Sequence, residues 1–178
     1  ISVWKSSGRR NGLMVLPLQQ GGFVPGKPQP LSLAFDAQLD PVALLGDTLV
    51  AGSSNWEDGR TNGGAIRLYD FRRKASGESL LGVDAATGPV CLADIDGDGD
   101  LDLFVGGRAI AGRYPEPATS RIYRNDGGRF TVAQSLDKVG LVSGAVFSDL
   151  DGDGDPDLVL ACDWGPVRIF LNEGGRFT

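Results

Sequence analysis

The sequence predicts an all-β protein made of four-stranded antiparallel sheets, and three observations support this prediction. The 178 residues include 27 Gly among many short apolar runs, a combination that is typical of short strands joined by tight turns. The apolar fraction of 41% is ordinary for a folded protein. The strongest observation is internal repetition, with a spacing of roughly 50 residues.

Two segments of the C-terminal half repeat each other. The first, from Gly88, reads GPVCLADIDGDGDLDLFVGG and then RIYRNDGGRFT, and the second, from Ser143, reads SGAVFSDLDGDGDPDLVLAC and then VRIFLNEGGRFT. The Asp-rich runs lie 55 residues apart and the GGRFT runs 47. The difference falls in one loop, between Gly106 and Ser120. A constant core with one variable loop indicates a repeated β-sheet unit with insertions at its rim.

Two weaker copies precede these. TLVAG at 48–52 and AIRLYDF at 65–71 match the second and third strands of the unit. At the start of the chain, 1–4, 13–18 and 21–23 match the second strand, the third strand and the GGRF turn. The chain also begins with Ile rather than Met, which indicates a processed or excised piece of a longer protein.

Four apolar runs in each full copy correspond to the size of one β-propeller blade. In the last copy these runs are Ala145–Ser148, Leu158–Ala161, Val167–Leu171 and Arg176–Thr178. A β-sandwich is the alternative, but it does not predict near-identical copies with matched turns. We therefore expect a β-propeller of four-stranded antiparallel blades, with about three and a half blades in this chain. The expected divisions of this single propeller, or propeller fragment, are a partial blade at 1–30, a degenerate blade at 31–84 and full blades at 85–139 and 140–178.

The chemistry of the repeat lies in a nine-residue acidic loop that occurs twice. Carboxylates occupy positions 1, 3, 5, 7 and 9, with Gly at position 6; they are Asp94, Asp96, Asp98, Asp100 and Asp102 in the first loop, and Asp149, Asp151, Asp153, Asp155 and Asp157 in the second. Ca²⁺ takes about six to eight oxygen ligands from flexible loops of this spacing, whereas Mg²⁺ demands stricter octahedral geometry. The loops are not EF-hands, because a strand pattern follows them. We expect two structural calcium sites; the alternative is two solvated acidic turns without an ion.

The pattern DxDGDGDxDL, an apolar run and YRNDGGRFT resemble the FG-GAP/VCBS repeat, which builds integrin α-subunit propellers and many secreted bacterial propellers. Three further segments, at 106–108, 113–115 and 163–168, are similar to bacterial relatives of cartilage acidic protein. The resemblance is specific over 88–178 and weak over 31–87. It implies that positions 1, 3, 5 and 9 of each loop bind Ca²⁺ through side chains and position 7 through its carbonyl. The copy near 42–50 has only Gly46-Asp47 at this place, so we expect no ion there.

Aromatic residues fall in or just before the loops that join second to third strands, at the rim opposite the acidic loops. Trp56, Tyr114 and Trp164 take comparable places in successive copies, and Arg113 adjoins Tyr114. Aromatic rings beside charged residues on loops of a rigid scaffold suggest a ligand-binding surface. The alternative is that these rings pack between blades.

These features predict a non-catalytic, calcium-stabilised module for binding or adhesion. The alternative is the propeller of a carbohydrate-active protein, either a lectin or a calcium-dependent polysaccharide lyase. The chain has no His, which excludes a Ser-His triad, and its net charge of −6 disfavours nucleic acid. We expect the partner to be a protein or a glycan, and a second chain could complete the ring. Calcium demand and the resemblance place the protein outside the cell, at the cell surface or in the periplasm. Cys91 and Cys162 are expected to be buried free thiols rather than a bridge.

Overall fold

The computed structural model describes residues 2–4, 12–15, 18–19, 22–23, 29–31, 38–54, 66–70, 72–73, 75–80 and 84–178. Every regular element in these ranges is a β-strand, and the strand pairs are antiparallel. The prediction of an all-β fold with antiparallel sheets is therefore confirmed. Within the described ranges, no helix has the length and apolar character needed to cross a lipid bilayer.

Residues Ile1–Gln38 form one compact unit. Its strands are β1 (Ser2–Trp4), β2 (Gly12–Val15), β3 (Leu18–Gln19), β4 (Gly22–Phe23) and β5 (Gln29–Leu31). Strands β1, β2 and β5 form a three-stranded sheet in that order, and β3 pairs with β4. Leu13 of the central strand lies between Val3 and Leu31.

Residues Leu39–Thr178 form the second unit, which contains both acidic loops. A four-stranded sheet consists of β6 (Gln38–Leu45), β7 (Thr48–Ser54), β8 (Ile66–Asp70) and β9 (Ala75–Leu80). A six-stranded sheet consists of β10 (Ala85–Ala93), β11 (Asp102–Ile110), β12 (Ala118–Asp126), β13 (Arg129–Ser148), β14 (Asp157–Asp163) and β15 (Arg168–Phe170). The short strands β16 (Asn172–Glu173) and β17 (Arg176–Phe177) pair with each other. Strands with adjacent numbers are neighbours in both sheets.

The same register recurs in successive strand pairs. Between β7 and β8, Leu49 lies opposite Tyr69; between β11 and β12, Leu103 lies opposite Tyr123; between β14 and β15, Leu158 lies opposite Phe170. Each Leu is the second residue of its strand and is completely buried. The hairpins that carry the acidic loops also match, because Ala93 pairs with Asp102 and Ser148 pairs with Asp157.

Strand β13 runs without interruption for 20 residues and serves two neighbours. Residues 129–140 pair with β12, and residues 141–148 pair with β14. The change of partner occurs at Gly140, whose φ is 139°. A Cβ at this position would lie 2.9 Å from Sγ of Cys162, so the crossing needs a residue without a side chain.

Strands β10–β12 of the six-stranded sheet are buried on both faces. Alternate residues of each strand point to opposite sides of the sheet, and each side contributes to a different core cluster. The first core cluster lies between this part and the four-stranded sheet and contains Val50, Ile66, Leu103, Val105 and Tyr123. The second core cluster lies between this part and the β13–β14 hairpin and contains Ile95, Phe104, Ile122, Leu136, Val139, Val142, Leu158, Leu160 and Phe177. The acidic loops are thus carried by strands anchored in well-packed cores.

The two cysteines are free and half-buried. Both pack against the second core cluster. Burial raises the pKa of Cys91 to about 12. It also raises the pKa of Cys162, although the positive charge of Arg168 opposes this effect.

Candidate metal centres

Both acidic loops join two antiparallel strands in the same way. The first loop, Asp94–Asp102, follows β10, and the second loop, Asp149–Asp157, follows β13. Each loop has two Gly residues with positive φ; the values are 74° and 91° at Gly97 and Gly99, and 82° and 98° at Gly152 and Gly154. Gly adopts this conformation without a steric penalty, which lets the chain coil tightly enough to bring its carboxylates together.

The carboxylate at position 1 organises each loop by accepting two backbone hydrogen bonds. Asp94 accepts from the N–H groups of Gly97 and Gly99, at 2.9 and 3.0 Å. Asp149 accepts from those of Gly152 and Gly154, at 2.7 and 3.2 Å. The loops therefore have an ordered shape that their own side chains maintain.

Positions 3 and 5 also repeat their contacts. In both loops, Oδ1 of the Asp at position 3 accepts a hydrogen bond from the backbone N–H of position 5 at 3.3 Å. Oδ1 of the Asp at position 5 accepts one from the N–H of position 7, at 2.9 Å in the first loop and 2.8 Å in the second. In the second loop, the N–H of Asp153 lowers the pKa of Asp151, but burial and the charges of Asp153, Asp157 and Asp149 outweigh it, so the pKa is raised.

The carboxylate at position 9 is buried and connects the loop to neighbouring backbone N–H groups. Asp102 is completely buried and accepts hydrogen bonds from the N–H groups of Ile95 and Asn125, at 2.9 and 2.7 Å. Asp157 is equally buried and accepts from Leu150 and Asn172, both at 2.8 Å. Burial raises the pKa of Asp102, against the effect of its two N–H donors, and the charges of Asp96 and Asp98 raise it further.

Position 7 holds the loop to a neighbouring turn. Asp100 accepts a hydrogen bond from the N–H of Gly127, and Asp155 accepts one from Gly174, both at 2.7 Å. Gly127 begins the Gly-Gly turn between β12 and β13, and Gly174 begins the Gly-Gly turn between β16 and β17. One oxygen of each position 7 carboxylate is thus engaged outside its loop.

Two asparagines complete the network, and the sequence analysis did not identify them. Asn125 and Asn172 occupy the same place in RNDGG and LNEGG. This Asn, repeated just before each Gly-Gly turn, is the sequence feature that could have identified them. The side chain of Asn125 donates to the carbonyl of Leu101 at 3.1 Å. The side chain of Asn172 donates instead to the carbonyl of Ile95, in the other loop, at 2.8 Å. The first loop is therefore tied to the end of the second repeat.

The two loops differ in one fixed charge. Nη2 of Arg124 lies 2.7 Å from Oδ2 of Asp96 and 3.8 Å from Oδ2 of Asp98, and the carboxylate of Asp96 raises the pKa of Arg124. By register, the residue at the same place beside the second loop is Leu171. The first loop is thus partly neutralised by the protein itself, whereas the second loop has no cation at this place.

The donor sets fit a hard cation such as Ca²⁺. Asp94, Asp96 and Asp102 in the first loop, and Asp149, Asp151 and Asp153 in the second, each offer an oxygen within 4.8 Å of the others. Two oxygens bound to one Ca²⁺ at about 2.3–2.6 Å are separated by at most about 5 Å, and carboxylates are the ligands that Ca²⁺ prefers. The link between β6 and β7 is different, since its single carboxylate, Asp47, pairs with Arg72.

Two of the four residues predicted for the ligand-binding surface are in contact. Trp164 donates its indole N–H to the hydroxyl of Tyr114, 50 residues earlier in the chain. Trp164 is 85% exposed and has a φ of 58°, which is uncommon for a residue other than Gly. Beside it, Nη1 of Arg108 lies 2.6 Å from Oδ2 of Asp163. Arg113 pairs with Glu116, and Trp56 lies outside the described residues.

A cleft that the sequence did not predict lies between the four-stranded sheet and the β12–β13 turn. Its volume is about 580 Å³. Apolar side chains line part of it, including Leu68 and Phe130, and Arg73 and Arg129 line another part.

Comparison with known proteins yields no family. No protein-family model matches the chain, and no curated protein matches it. Among solved structures, the chain is similar to the computationally designed Ika4 protein, with a TM-score of 0.38 and 11% identity over 79% of this chain and 94% of that chain. For the computationally designed Ika8 protein, the TM-score is 0.39 and the identity 13%, over 81% of this chain and 49% of that chain.

Proposed function

We propose that this chain is a non-catalytic binding module whose β-sheets are FG-GAP/VCBS-type propeller blades stabilised by two calcium ions. The observation that carries the proposal is the matching hydrogen-bond network of the two acidic loops. Positions 1, 3, 5, 7 and 9 make the same contacts in both loops. This arrangement brings three carboxylate oxygens of each loop within 4.8 Å of one another, as a cation site requires.

The strand pairing supports the blade assignment. A blade has four antiparallel strands in chain order, which is the order of β6 to β9 and of β10 to the first half of β13. The second half of β13 then begins a further set with β14 and β15. The repeated Leu-to-aromatic register gives all three sets the same alignment.

The ion would supply positive charge where the chain concentrates negative charge. Asp94, Asp96 and Asp102 would hold it in the first loop, and Asp149, Asp151 and Asp153 in the second. Asp98 and Asp157 would contribute as the resemblance implies. Five carboxylates within nine residues repel one another. A cation that binds only the folded loop stabilises the protein by mass action, by about 2.7 kcal/mol per site when free Ca²⁺ exceeds the dissociation constant a hundredfold.

Calorimetric titration and thermal unfolding test the calcium proposal. Calcium added to chelator-treated protein should bind at two sites per chain and raise the melting temperature, and EDTA should reverse the effect. Asp94→Asn and Asp149→Asn should each remove one site, and Asp47→Asn, in the β6–β7 turn, serves as the matched control. Unchanged melting with and without saturating Ca²⁺ would refute the structural role.

For the binding role, we propose the loop surface around Tyr114 and Trp164. A largely exposed Trp in a strained backbone conformation is typical of a functional position. Free calcium is plentiful outside the cell and in the periplasm, where we place the module. An array of immobilised glycans tests the lectin alternative, with Trp164→Ala as the variant and Val132→Ala as a control at another exposed position. Glycan binding that survives Trp164→Ala would exclude this surface.

A further inference from the structure

The cleft between the four-stranded sheet and the β12–β13 turn is lined in one part by apolar side chains. These side chains are partly buried and pack against the first core cluster; they are Leu45, Leu68, Leu80 and Phe130. Because their burial is incomplete, apolar surface faces the open volume of about 580 Å³. This volume lies within the range of about 300–1,000 Å³ that is typical of small-molecule sites.

The matching place one repeat later is filled. The β16–β17 turn is the counterpart of the β12–β13 turn, and its Phe177 is the counterpart of Phe130 in the repeated GGRFT sequence. Phe177 is 3% exposed, and Ile95 of the first acidic loop is 1% exposed in the same second core cluster. The side chain of Asn172 also donates to the carbonyl of Ile95 at 2.8 Å. The first acidic loop therefore closes the space beside this turn.

No acidic loop closes the space beside the β12–β13 turn. Gly46 and Asp47 join β6 to β7, whereas the longer segment Asp94–Leu101 joins β10 to β11. The Gly-Gly turns show the effect of this difference. A Cβ at Gly175 would lie 3.2 Å from Cβ of Asp96, but a Cβ at Gly128 would meet no atom within 4 Å. The cleft thus corresponds to the space that an acidic loop occupies in the next repeat.

The charged side chains of the lining favour an anion. Arg73 and Arg129 are positive, and Asp70 is the one carboxylate among the described lining residues. Asp70 is already engaged, because it accepts hydrogen bonds from the backbone N–H groups of Arg72 and Arg73 at 2.8 and 2.9 Å. Arg129 forms no ion pair with any residue that the structure describes. A cleft with this excess of positive charge, on a chain of net charge −6, attracts an anion locally.

We propose that this cleft binds a small amphipathic anion, an organic acid with an apolar body. The guanidinium groups of Arg73 and Arg129 would bind the acidic group through charge-assisted hydrogen bonds, which Arg forms with oxyanions in a planar and often bidentate geometry. The apolar body would cover Phe130 and Leu68, as Ile95 of the acidic loop covers the matching place one repeat later. The site shares no residue with the acidic loops or with the surface around Tyr114 and Trp164, so it does not depend on the calcium proposal.

Fluorescence titration of the 178-residue chain with two matched dyes tests the proposal. Anilinonaphthalene sulfonate has an aromatic body and an acidic group, and phenylnaphthylamine has the same body without the charge. We expect the sulfonate to bind at one site per chain, both in EDTA and in Ca²⁺. Arg129→Gln should weaken sulfonate binding by roughly threefold to tenfold and leave binding of the neutral dye unchanged. Arg176→Gln is the matched control, because Arg176 is the counterpart of Arg129 beside the filled space, and it should leave both affinities unchanged.

A second variant establishes that the dye binds in the cleft. Thr48 lies opposite Asp70 in the register of β7 and β8, and both line the cleft. Thr48→Trp fills the cleft with a side chain that strands accommodate well, so binding of both dyes should be lost. Thr48→Val keeps the size of the side chain and should leave binding unchanged. Near-ultraviolet circular dichroism and thermal unfolding establish that each variant is folded.

Three results would overturn the proposal. The first is that the folded chain binds neither dye. The second is that sulfonate binding survives Thr48→Trp, since the dye would then lie elsewhere. The third is that Arg129→Gln leaves sulfonate binding unchanged or weakens both dyes equally, since the cleft would then not select for negative charge.

Discussion

Replacement of Asn172 by Ala should destabilise the protein and weaken the connection between the two acidic loops. Asn172 is 1% exposed and makes two side-chain hydrogen bonds. Its Nδ2 donates to the carbonyl of Ile95 at 2.8 Å, and its Oδ1 accepts from the N–H of Gly175 at 2.8 Å. The Ala side chain can replace neither bond.

The expected loss of stability follows from the groups that the substitution leaves without a hydrogen-bond partner. The Ile95 residue is buried, so its carbonyl loses its partner in a place that water does not readily reach. Leaving a buried polar group unsatisfied costs about 1–3 kcal/mol, and a typical hydrogen bond contributes about 1 kcal/mol net. The free energy of unfolding should therefore fall by about 2–4 kcal/mol. At about 2–4 °C per kcal/mol for a chain of this size, a loss of 3 kcal/mol lowers the melting temperature by about 6–12 °C.

Urea unfolding followed by circular dichroism, in EDTA, measures this difference. Asn125→Ala is the matched control, because Asn125 is also buried and loses two similar bonds, to Leu101 and Gly128. Both variants should be destabilised, but only Asn172→Ala breaks the connection between the two loops. In the calcium titration, Asn172→Ala should therefore weaken binding at both loops, and Asn125→Ala chiefly at the first. A change in unfolding free energy below about 0.5 kcal/mol for Asn172→Ala would refute the reasoning, since such a value is typical of a surface position.

Three further predictions concern charge and protonation. Arg124→Leu removes the cation 2.7 Å from Asp96, so it should strengthen calcium binding at the first loop by roughly threefold to tenfold. Leu171→Arg adds a cation at the same place beside the second loop and should weaken calcium binding there. Calorimetry that shows no change in either variant would contradict the assigned electrostatics. Iodoacetamide at pH 8 should alkylate Cys91 in the folded protein on the order of a thousandfold more slowly than in urea, because burial raises its pKa from 9.0 to about 12. Mass spectrometry of the labelled peptide measures both rates, and equal rates would contradict this prediction. The pKa values of Asp102 and Asp151 are raised above 3.8, so in calcium-free protein their contribution to stability is present below that pH and is lost as the pH rises through the raised values. Saturating Ca²⁺ should oppose this loss, because it binds the ionised carboxylates, and urea titrations between about pH 4 and pH 7 with and without Ca²⁺ distinguish the two trends.

The sequence predicted those parts of the structure that repeat. Two copies of one Asp pattern, 55 residues apart, indicated two equivalent loops, because spacing and residue type are both readable along the chain. The antiparallel strands around them were predictable for the same reason. The turn of Gly46 and Asp47 was also readable, since two residues between strand patterns leave room only for a tight turn.

The sequence did not reveal contacts that depend on how distant segments pack. The hydrogen bond from Asn172 to Ile95 joins residues 77 positions apart, and no local pattern specifies its partner. Asp102 looked like any other member of its loop, but packing places it in the interior, where its two oxygens accept backbone N–H groups. Trp164 and Tyr114 were predicted to share a rim, but their direct hydrogen bond depends on two loops of different length.

The uninterrupted backbone of β13 has a mechanical consequence. Its two halves belong to successive sets of strands, and the strand continues through Gly140 without a loop. Ladder hydrogen bonds in antiparallel pairs run perpendicular to the strands, and a pull along β13 therefore loads the bonds to β12 and β14 in shear. Tension that enters one set of strands passes to the next along covalent bonds, and both sets resist it together.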